Sequence, residues 1–359
     1  MTFIIAAAGT GGHVFPGLSV GEALIDLGVP RDEILFVGGD RLAAKVYPNE
    51  GFPFLQVELR GLQRSLTPKN LYLPNIVRKA KNRILRAIVE EPVLVVLGMG
   101  GYVTIPTGMA ARKAKIPFLV SEQNAQAGLA NRVATRWAFR TFGSFPQTSG
   151  LPDAEWVGNP VREPFWSFDR DALTSGAQRR YGIKPGVPVL GIFGGSLGAG
   201  AINEAVSTML ADWEGPPMAV VHLTGDRDFE SLQSLPAAPS VQWLRVAFEE
   251  SMETFYAISD LVVSRAGGAV AELTVTGTPS ILVPGVFGSA GHQVGNARYL
   301  TESGAAITLS ESEIGLLSDV VKGTLFNDDS LQVMRDSALE TAKPDAAATI
   351  ATAMIEAVR

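Results

Sequence analysis

The 359-residue chain has no cysteine, only three histidines, five tryptophans and no long uninterrupted apolar run. Without cysteine there is neither a disulfide framework nor a thiolate metal site. No stretch reaches the roughly 18 consecutive apolar residues that a membrane span requires. The opening "MTFIIAAAGTGGH" has no basic segment ahead of its short apolar run. It does not read as a secretory signal, and the expected address is cytoplasmic. No His/Asp cluster suggests a metal centre either. A 46% hydrophobic content and a mean hydropathy of +0.18 suit large buried cores. The length exceeds one ordinary core, so two domains are expected.

The net charge of −6 conceals an asymmetry. Up to Arg162 there are 18 Lys+Arg against 12 Asp+Glu, and the remainder has 12 against 24. A basic half and an acidic half imply different partners for each. The acidic half, and the absence of a basic patch interleaved with aromatics, argue against nucleic acid.

Short apolar runs alternate with amphipathic ones. "TFIIAAA", "EILFVGG", "PVLVVLG" and "PFLVSEQ" read as buried strands, and "LSVGEALIDLG" as a helix closed by Gly28. After "VGNPV" the pattern restarts with "PVLGIFGGS", "AINEAVSTMLADW", "MAVVHLTG", "VQWLRVAF", "DLVVSRAG" and "PSILVPG". Undiluted strands alternating with helices predict parallel α/β sheets, here two doubly wound domains joined near Asn159 to Trp166. A last helix, roughly Ala346 to Val358, has no strand after it. Glycines and polar residues cluster just after strand ends, where open α/β sheets bind ligands, so the expected site lies in a cleft between the domains.

The first of these turns, "AAAGTGGHVFPG", lacks the third glycine of a dinucleotide fingerprint, since Val14 stands in its place. It also lacks the Gly-Lys-Ser/Thr of a Walker loop. What remains is a glycine turn opening a helix, which either favours an anion or merely connects strand to helix. His13 beside such a turn reads as a general base. His222 is as consistent with a structural role as with a functional one. "LGMGGYVTIPTGMAA" repeats the glycine theme, and "SEQNAQAGLANR" places Glu122, Gln123 and Asn124 after a strand. That cluster fits a helix cap or a substrate contact, with Glu122 as a second candidate for proton handling. In the second half, Ser196 and the amides of Leu197, Gly198 and Ala199 can hold a phosphate without lysine. Glu272 follows a further glycine turn and suits ribose hydroxyls. His292, Gln293 and Asn296 form the last cluster. "LYLPNIVRKAKNRILRAIVEE" interleaves Ile76, Val77, Ile84, Leu85 and Ile88 with Arg78, Lys79, Lys81, Arg83 and Arg86. It reads either as a basic helix for an anionic bilayer surface or as an ordinary solvated surface helix.

"GTGGHVFPGL", "GMGGYVTIP", "EQNAQAGLANR", "GNPVR", "GGSLGA", "SRAG…AEL" and "HQVGNAR" occur in one order along nearly the whole chain. Together they resemble the MurG-type UDP-N-acetylglucosamine:N-acetylmuramyl-(pentapeptide) pyrophosphoryl-undecaprenol N-acetylglucosaminyltransferases, which make lipid II for bacterial peptidoglycan. The resemblance implies a GT-B fold of two Rossmann-like α/β domains. Residues 1–162, with a C-terminal helix at about 344–359, would bind the undecaprenyl-linked lipid I at the cytoplasmic face of the cell membrane. Residues 163–343 would bind UDP-N-acetylglucosamine. Carried over, Thr10, Gly11, Gly12 and His13 would meet the acceptor diphosphate or the donor sugar, and Asn124 the sugar. Arg162, Ser196, Phe248, Glu272 and Gln293 would hold UDP, with Phe248 near uracil. No cofactor or metal is implied, because helix N-termini and Arg162 can stabilise the leaving diphosphate. The chain departs from the family pattern at Ser121, where a histidine is usual, at Leu197 for glutamine, and at Ala8 for glycine. Its spacing to Glu272 is one residue shorter. The competing readings are a GT-B enzyme with a soluble acceptor, a UDP-N-acetylglucosamine epimerase, or a non-catalytic nucleotide-sugar-binding protein.

Overall fold

The computed structural model describes residues 1–58, 73–194, 199–285 and 290–358. The chain divides into two compact units, Met1–Glu163 with Pro344–Arg359, and Pro164–Lys343.

In the first unit the strands are β1 (Thr2–Ala6), β2 (Ile34–Gly38), β3 (Phe54–Gln56), β4 (Val93–Gly98), β5 (Phe118–Glu122), β6 (Arg140–Gly143) and β7 (Glu155–Trp156). They form one parallel sheet in the order β3-β2-β1-β4-β5-β6-β7. Ile4 pairs with Leu35 on one side and Val96 on the other. Every residue of β1 is buried, which is why its sequence carries no polar alternation. Helices α1 (Gly11–Asp26), α2 (Ala43–Asn49), α3 (Leu73–Glu90), α4 (Thr104–Ala114) and α5 (Leu129–Ala134) connect the strands. The core on one side of the sheet joins Ile4, Val96 and Val120 to Ala80, Ile84 and Ile88 of α3.

The second unit begins with α6 (Arg170–Tyr181) and contains β8 (Val189–Phe193), α7 (Gly200–Ala211), β9 (Met218–Leu223), α8 (Asp226–Gln233) and β10 (Val241–Val246). It continues through α9 (Met252–Ile258), β11 (Leu261–Ser264), α10 (Ala269–Val275), β12 (Ser280–Leu282), α11 (Ala290–Glu302), β13 (Ala306–Thr308), α12 (Leu317–Leu325) and α13 (Asp328–Thr341). Its parallel sheet runs β10-β9-β8-β11-β12-β13. Leu190, Ile192, Val220, Val263 and Ile281 build its core with Ile202 and Val206 of α7. Asp169 caps α6 by accepting from the Ala172 amide at 3.1 Å, and Gly182 ends it in the left-handed conformation at φ 62°. Asn327 caps α13 the same way, from the Ser330 amide at 3.0 Å. The last helix, α14 (Ala346–Glu356), packs on α1 and β4 of the first unit.

Two boundaries differ from the sequence reading. The first helix starts at Gly11, inside the glycine turn, rather than at Leu18. The His13 and Val14 amides already bond the Thr10 carbonyl, at 3.1 and 3.3 Å, so tertiary placement overrides the weak helix propensity of glycine. The short strands β3, β6, β7 and β13 carry no signal of their own, because two to four residues are too few to show a period.

Candidate functional site

In each sheet the strand order reverses between two neighbouring strands: β1 and β4 in the first, β8 and β11 in the second. In the sequence each of those four strands leads into a glycine-rich stretch. The switch point is where an open parallel sheet leaves room for a ligand beyond its strand ends.

In the first unit three of these loops meet. After β1, Gly9 takes φ +109°, and α1 opens with the exposed Thr10 as its N-cap. The Thr10 side chain makes no capping bond, so the first-turn amides of Gly11 and Gly12 are the donors an anion would meet. Pro16 inside α1 has no N–H for the carbonyl of Gly12. After β4 the Met99 amide bonds the Ala6 carbonyl at 2.8 Å, drawing the two loops together. Gly100 (φ +110°) lies against the imidazole of His13: a Cβ there would sit 2.3 Å from Cδ2 and 2.8 Å from Nε2. A Cβ on Gly101 would sit 2.1 Å from the Ala8 carbonyl oxygen. Only glycine permits this contact and this backbone at both positions. The third loop brings Gln123, whose Oε1 is 3.3 Å from the same Gly100 Cβ position. The Gln123 amide nitrogen donates to the Ser121 carbonyl at 3.0 Å and its hydroxyl at 3.4 Å, so Ser121 steadies that side chain.

Glu122 corrects an expectation. Its carboxylate is 1% exposed. Oε1 accepts from the Asn124 amide (3.1 Å) and Asn124 Nδ2 (3.0 Å), and Oε2 from the Gly128 amide (3.0 Å) and Asn131 Nδ2 (2.8 Å). A general base needs a lone pair facing the proton it takes. This one is taken up by four local donors, and it shapes the loop that presents Asn124.

Arg162 is partly buried at the end of the first unit, near enough to Glu22 of α1 to act on it. Burial and the neighbouring Glu50 push the Glu22 carboxyl up to about 7, against the opposing pull of Arg162.

In the second unit, Ser196, Leu197 and Gly198 lie outside the described residues. Arg265, directly after β11, is committed within the fold: it pairs with Glu311 at 2.6 Å and donates to the Val283 carbonyl at 3.0 Å. Glu272, on α10, accepts a hydrogen bond from the Tyr256 hydroxyl at 2.8 Å. Phe248 is 61% exposed, an unusual place for a large aromatic ring. Its neighbour Glu249 explains how the loop is held. That buried carboxylate accepts from Arg180 (3.2 and 2.6 Å), the Tyr181 hydroxyl (2.7 Å) and the Ser251 amide (2.9 Å). Nothing in the sequence singles out Glu249, because a carboxylate after an exposed aromatic carries no recognisable motif. His292 and Gln293 lie in the first turn of α11, and Gln293 Oε1 accepts the Gly285 amide at 2.8 Å. Asn296 is buried and donates to the Ala266 carbonyl at 3.1 Å, tying α11 to the turn after β11.

His222 is structural. It is fully buried on β9, with Nε2 3.0 Å from Asn203 Oδ1 and its ring stacked on Trp243 at 6.0 Å. Burial, with a smaller push from Arg245, drives it down to about 3, so it stays neutral. The sequence also contains Asp169-Arg170-Asp171 and Asp226-Arg227-Asp228; in the fold Asp169 caps α6, and Asp228 accepts from Arg227 and Asn203.

On α3, Ala80, Ile84 and Ile88 face the core, which removes Ile84 and Ile88 from any outward apolar surface. Arg78, Lys79, Arg83 and Arg86 are exposed, and an open groove between α3 and α4 is lined by Pro74, Val77, Arg78, Lys81 and Met109. No helix among the described residues is long and apolar enough to cross a membrane.

Residues 3–142 match the glycosyltransferase family 28 N-terminal domain and residues 189–350 the family's C-terminal domain. A UDP-N-acetylglucosamine--N-acetylmuramyl-(pentapeptide) pyrophosphoryl-undecaprenol N-acetylglucosamine transferase from Salinibacter ruber is 38% identical, covering 97% of this chain and 94% of the relative. A protein of the same description from Listeria welshimeri is 35% identical, covering 99% of both. Among solved structures, MurG of Acinetobacter baumannii superposes with a TM-score of 0.81 at 29% identity, over 99% of this chain and 100% of that one. A UDP-GlcNAc 2-epimerase from Neisseria meningitidis reaches 0.69 at 12% identity, over 99% and 100%, which is a likeness of fold alone.

Proposed function

The chain belongs to glycosyltransferase family 28, among the pyrophosphoryl-undecaprenol N-acetylglucosamine transferases, and from that premise we propose how its residues divide the work. The protein transfers N-acetylglucosamine from UDP-N-acetylglucosamine to the muramyl 4-hydroxyl of lipid I, forming lipid II. The acceptor oxygen forms a bond to the sugar C1 as the bond from C1 to the UDP oxygen breaks. UDP leaves with the electron pair, and the hydroxyl proton passes to a base. His13 is that base. The observation that carries this reading is the seating of its imidazole on Gly100, at the switch point of the first sheet, beside an open helix N-terminus. That turn provides Gly11 and Gly12 amides and the Thr10 hydroxyl for a diphosphate or the donor sugar. Asn124, held by Glu122, contacts the sugar.

UDP belongs to the second unit. Phe248 offers a stacking face for uracil, Glu272 accepts from the ribose, and Gln293 is oriented by the Gly285 amide. The amides around Ser196 to Gly198 and the guanidinium of Arg162 stabilise the departing diphosphate.

The test is transfer from UDP-N-acetylglucosamine to a lipid I analogue. His13→Ala should cut kcat by at least about 100-fold, with UDP affinity within about twofold. An equal loss in both removes His13 from the proton-handling role.

The acceptor is a bilayer lipid, so the protein works at a membrane surface, on the cytoplasmic side where its nucleotide donor is made. The exposed face of α3 carries Arg78, Lys79, Arg83 and Arg86 and docks it there. Each basic residue contributes about 1 kcal/mol near an anionic leaflet. Co-sedimentation with phosphatidylglycerol vesicles should fall steeply with salt and on replacing these four by Gln. Binding that ignores both changes rules this face out.

A further inference from the structure

We infer that Tyr256 is a positioning residue that sets the ribose selectivity of the donor site. The inference rests on the assignment of Glu272 to the ribose. The Tyr256 hydroxyl donates to Glu272 Oε2 at 2.8 Å, a contact that orients this partly exposed carboxylate.

The frame around the pair is rigid at both ends. The Tyr256 ring is fully buried among Phe165, Phe193 and Phe255, with ring centres 5.8, 6.1 and 5.5 Å away, so the hydroxyl has a set position. The Arg170 guanidinium then clamps the two helices that carry the pair. It donates to the carbonyls of Tyr256 (2.6 Å), Ala257 (3.2 Å) and Ser259 (3.0 Å) at the end of α9. It also donates to the Thr276 carbonyl (3.2 Å) and the Thr278 hydroxyl (2.7 Å) just past α10. Donor and acceptor are therefore held by one cation. A carboxylate fixed this way offers its acceptors to ribose hydroxyls in one geometry, with little rotamer entropy left to lose on binding. Without the hydroxyl, Glu272 keeps its charge and its place on α10 but loses the bond that steers Oε2.

The experiment compares UDP with 2′-deoxy-UDP by calorimetric titration of the full chain, for wild type, Tyr256→Phe, Glu272→Ala and the double variant. Wild type is expected to prefer UDP by about tenfold or more, the scale of one hydrogen bond to a charged group. Tyr256→Phe keeps the ring and should reduce that preference to about threefold or less, weakening UDP while barely changing 2′-deoxy-UDP. The double variant should show the preference of Glu272→Ala alone. Equal weakening of both nucleotides by Tyr256→Phe marks a merely structural role and overturns the inference. So does an intact preference in Tyr256→Phe when Glu272→Ala has lost it, or independent losses in the double variant. An intact preference in Glu272→Ala instead overturns the ribose assignment itself. Because a general loss of folding would enter both halves of the cycle alike, the coupling remains readable if Tyr256→Phe lowers stability.

Discussion

Glu22 shows how one side chain can make the first unit sensitive to pH. Its folded carboxyl titrates near 7, against an ordinary value of 4.5. Between those values the native chain holds a proton that the unfolded chain has released. The stabilisation is complete below pH 4.5 and is lost as pH rises through 7. Glu22→Gln should therefore raise the unfolding free energy at pH 8 by about 1–2 kcal/mol, after allowance for solvent screening, and leave it unchanged at pH 4. Urea titrations at the two values decide it, and an equal gain at both would exclude carboxyl ionisation as the cause. Nothing in "SVGEALID" announces this, because Glu50 and Arg162 reach Glu22 only through the fold. The closeness of His13 to the glycine turns, by contrast, is legible in the sequence, because the residue stands directly after Gly11 and Gly12. The role of Glu122 is misleading in the sequence for a local reason: its donors come from residues two to nine positions on, and a hydrogen-bonded loop leaves no periodic trace.

At the level of elements, the central strands can be read directly because parallel strands buried on both faces consist of undiluted apolar residues. Their flanks cannot, and neither can the ties between helices. Arg170 is the clearest case. In sequence it is one charge in "FDRDAL", while in the fold burial lowers it to about 10 as it satisfies carbonyls from two helix ends. Those carbonyls have no helical partner of their own. Replacing Arg170 by Met takes this donor from the Tyr256, Ser259 and Thr276 carbonyls, while the Ala257 carbonyl keeps the Thr174 hydroxyl at 3.3 Å. The expected loss is about 3–5 kcal/mol by analogy with broken buried ion networks. Calorimetry should place that loss in the melting of the second unit and leave the first unit's transition in position. A loss shared by both transitions would mean that Arg170 supports more than α6, α9 and α10.

Over the whole molecule, charge follows the two units. The first holds 19 Lys+Arg against 15 Asp+Glu and the second 11 against 21, or +4 and −10. That division suits a protein whose one unit meets an anionic lipid surface while the other is repelled by it. If the first unit docks on such a surface as proposed, the salt dependence expected of vesicle binding has a source beyond α3. The chain's return to its starting unit is the other feature of this scale. Ala346, Ala347, Ile350, Ala351 and Met354 of α14 are buried. Removing everything after Lys343 should destabilise the first unit by about 5 kcal/mol and leave the second with its own transition. A truncated chain whose two transitions fall together would deny α14 that separate role.

The same return has a consequence in time. Residues 164–343 lie between the two segments of the first unit. At about 5–20 residues per second, a ribosome needs on the order of 10–40 s to traverse them. Through that interval the nascent first sheet has one flank uncovered, and the second unit is finished before the first. A chaperone that binds exposed apolar surface during synthesis would meet this protein at its amino-terminal half, and release it only when the last helix arrives.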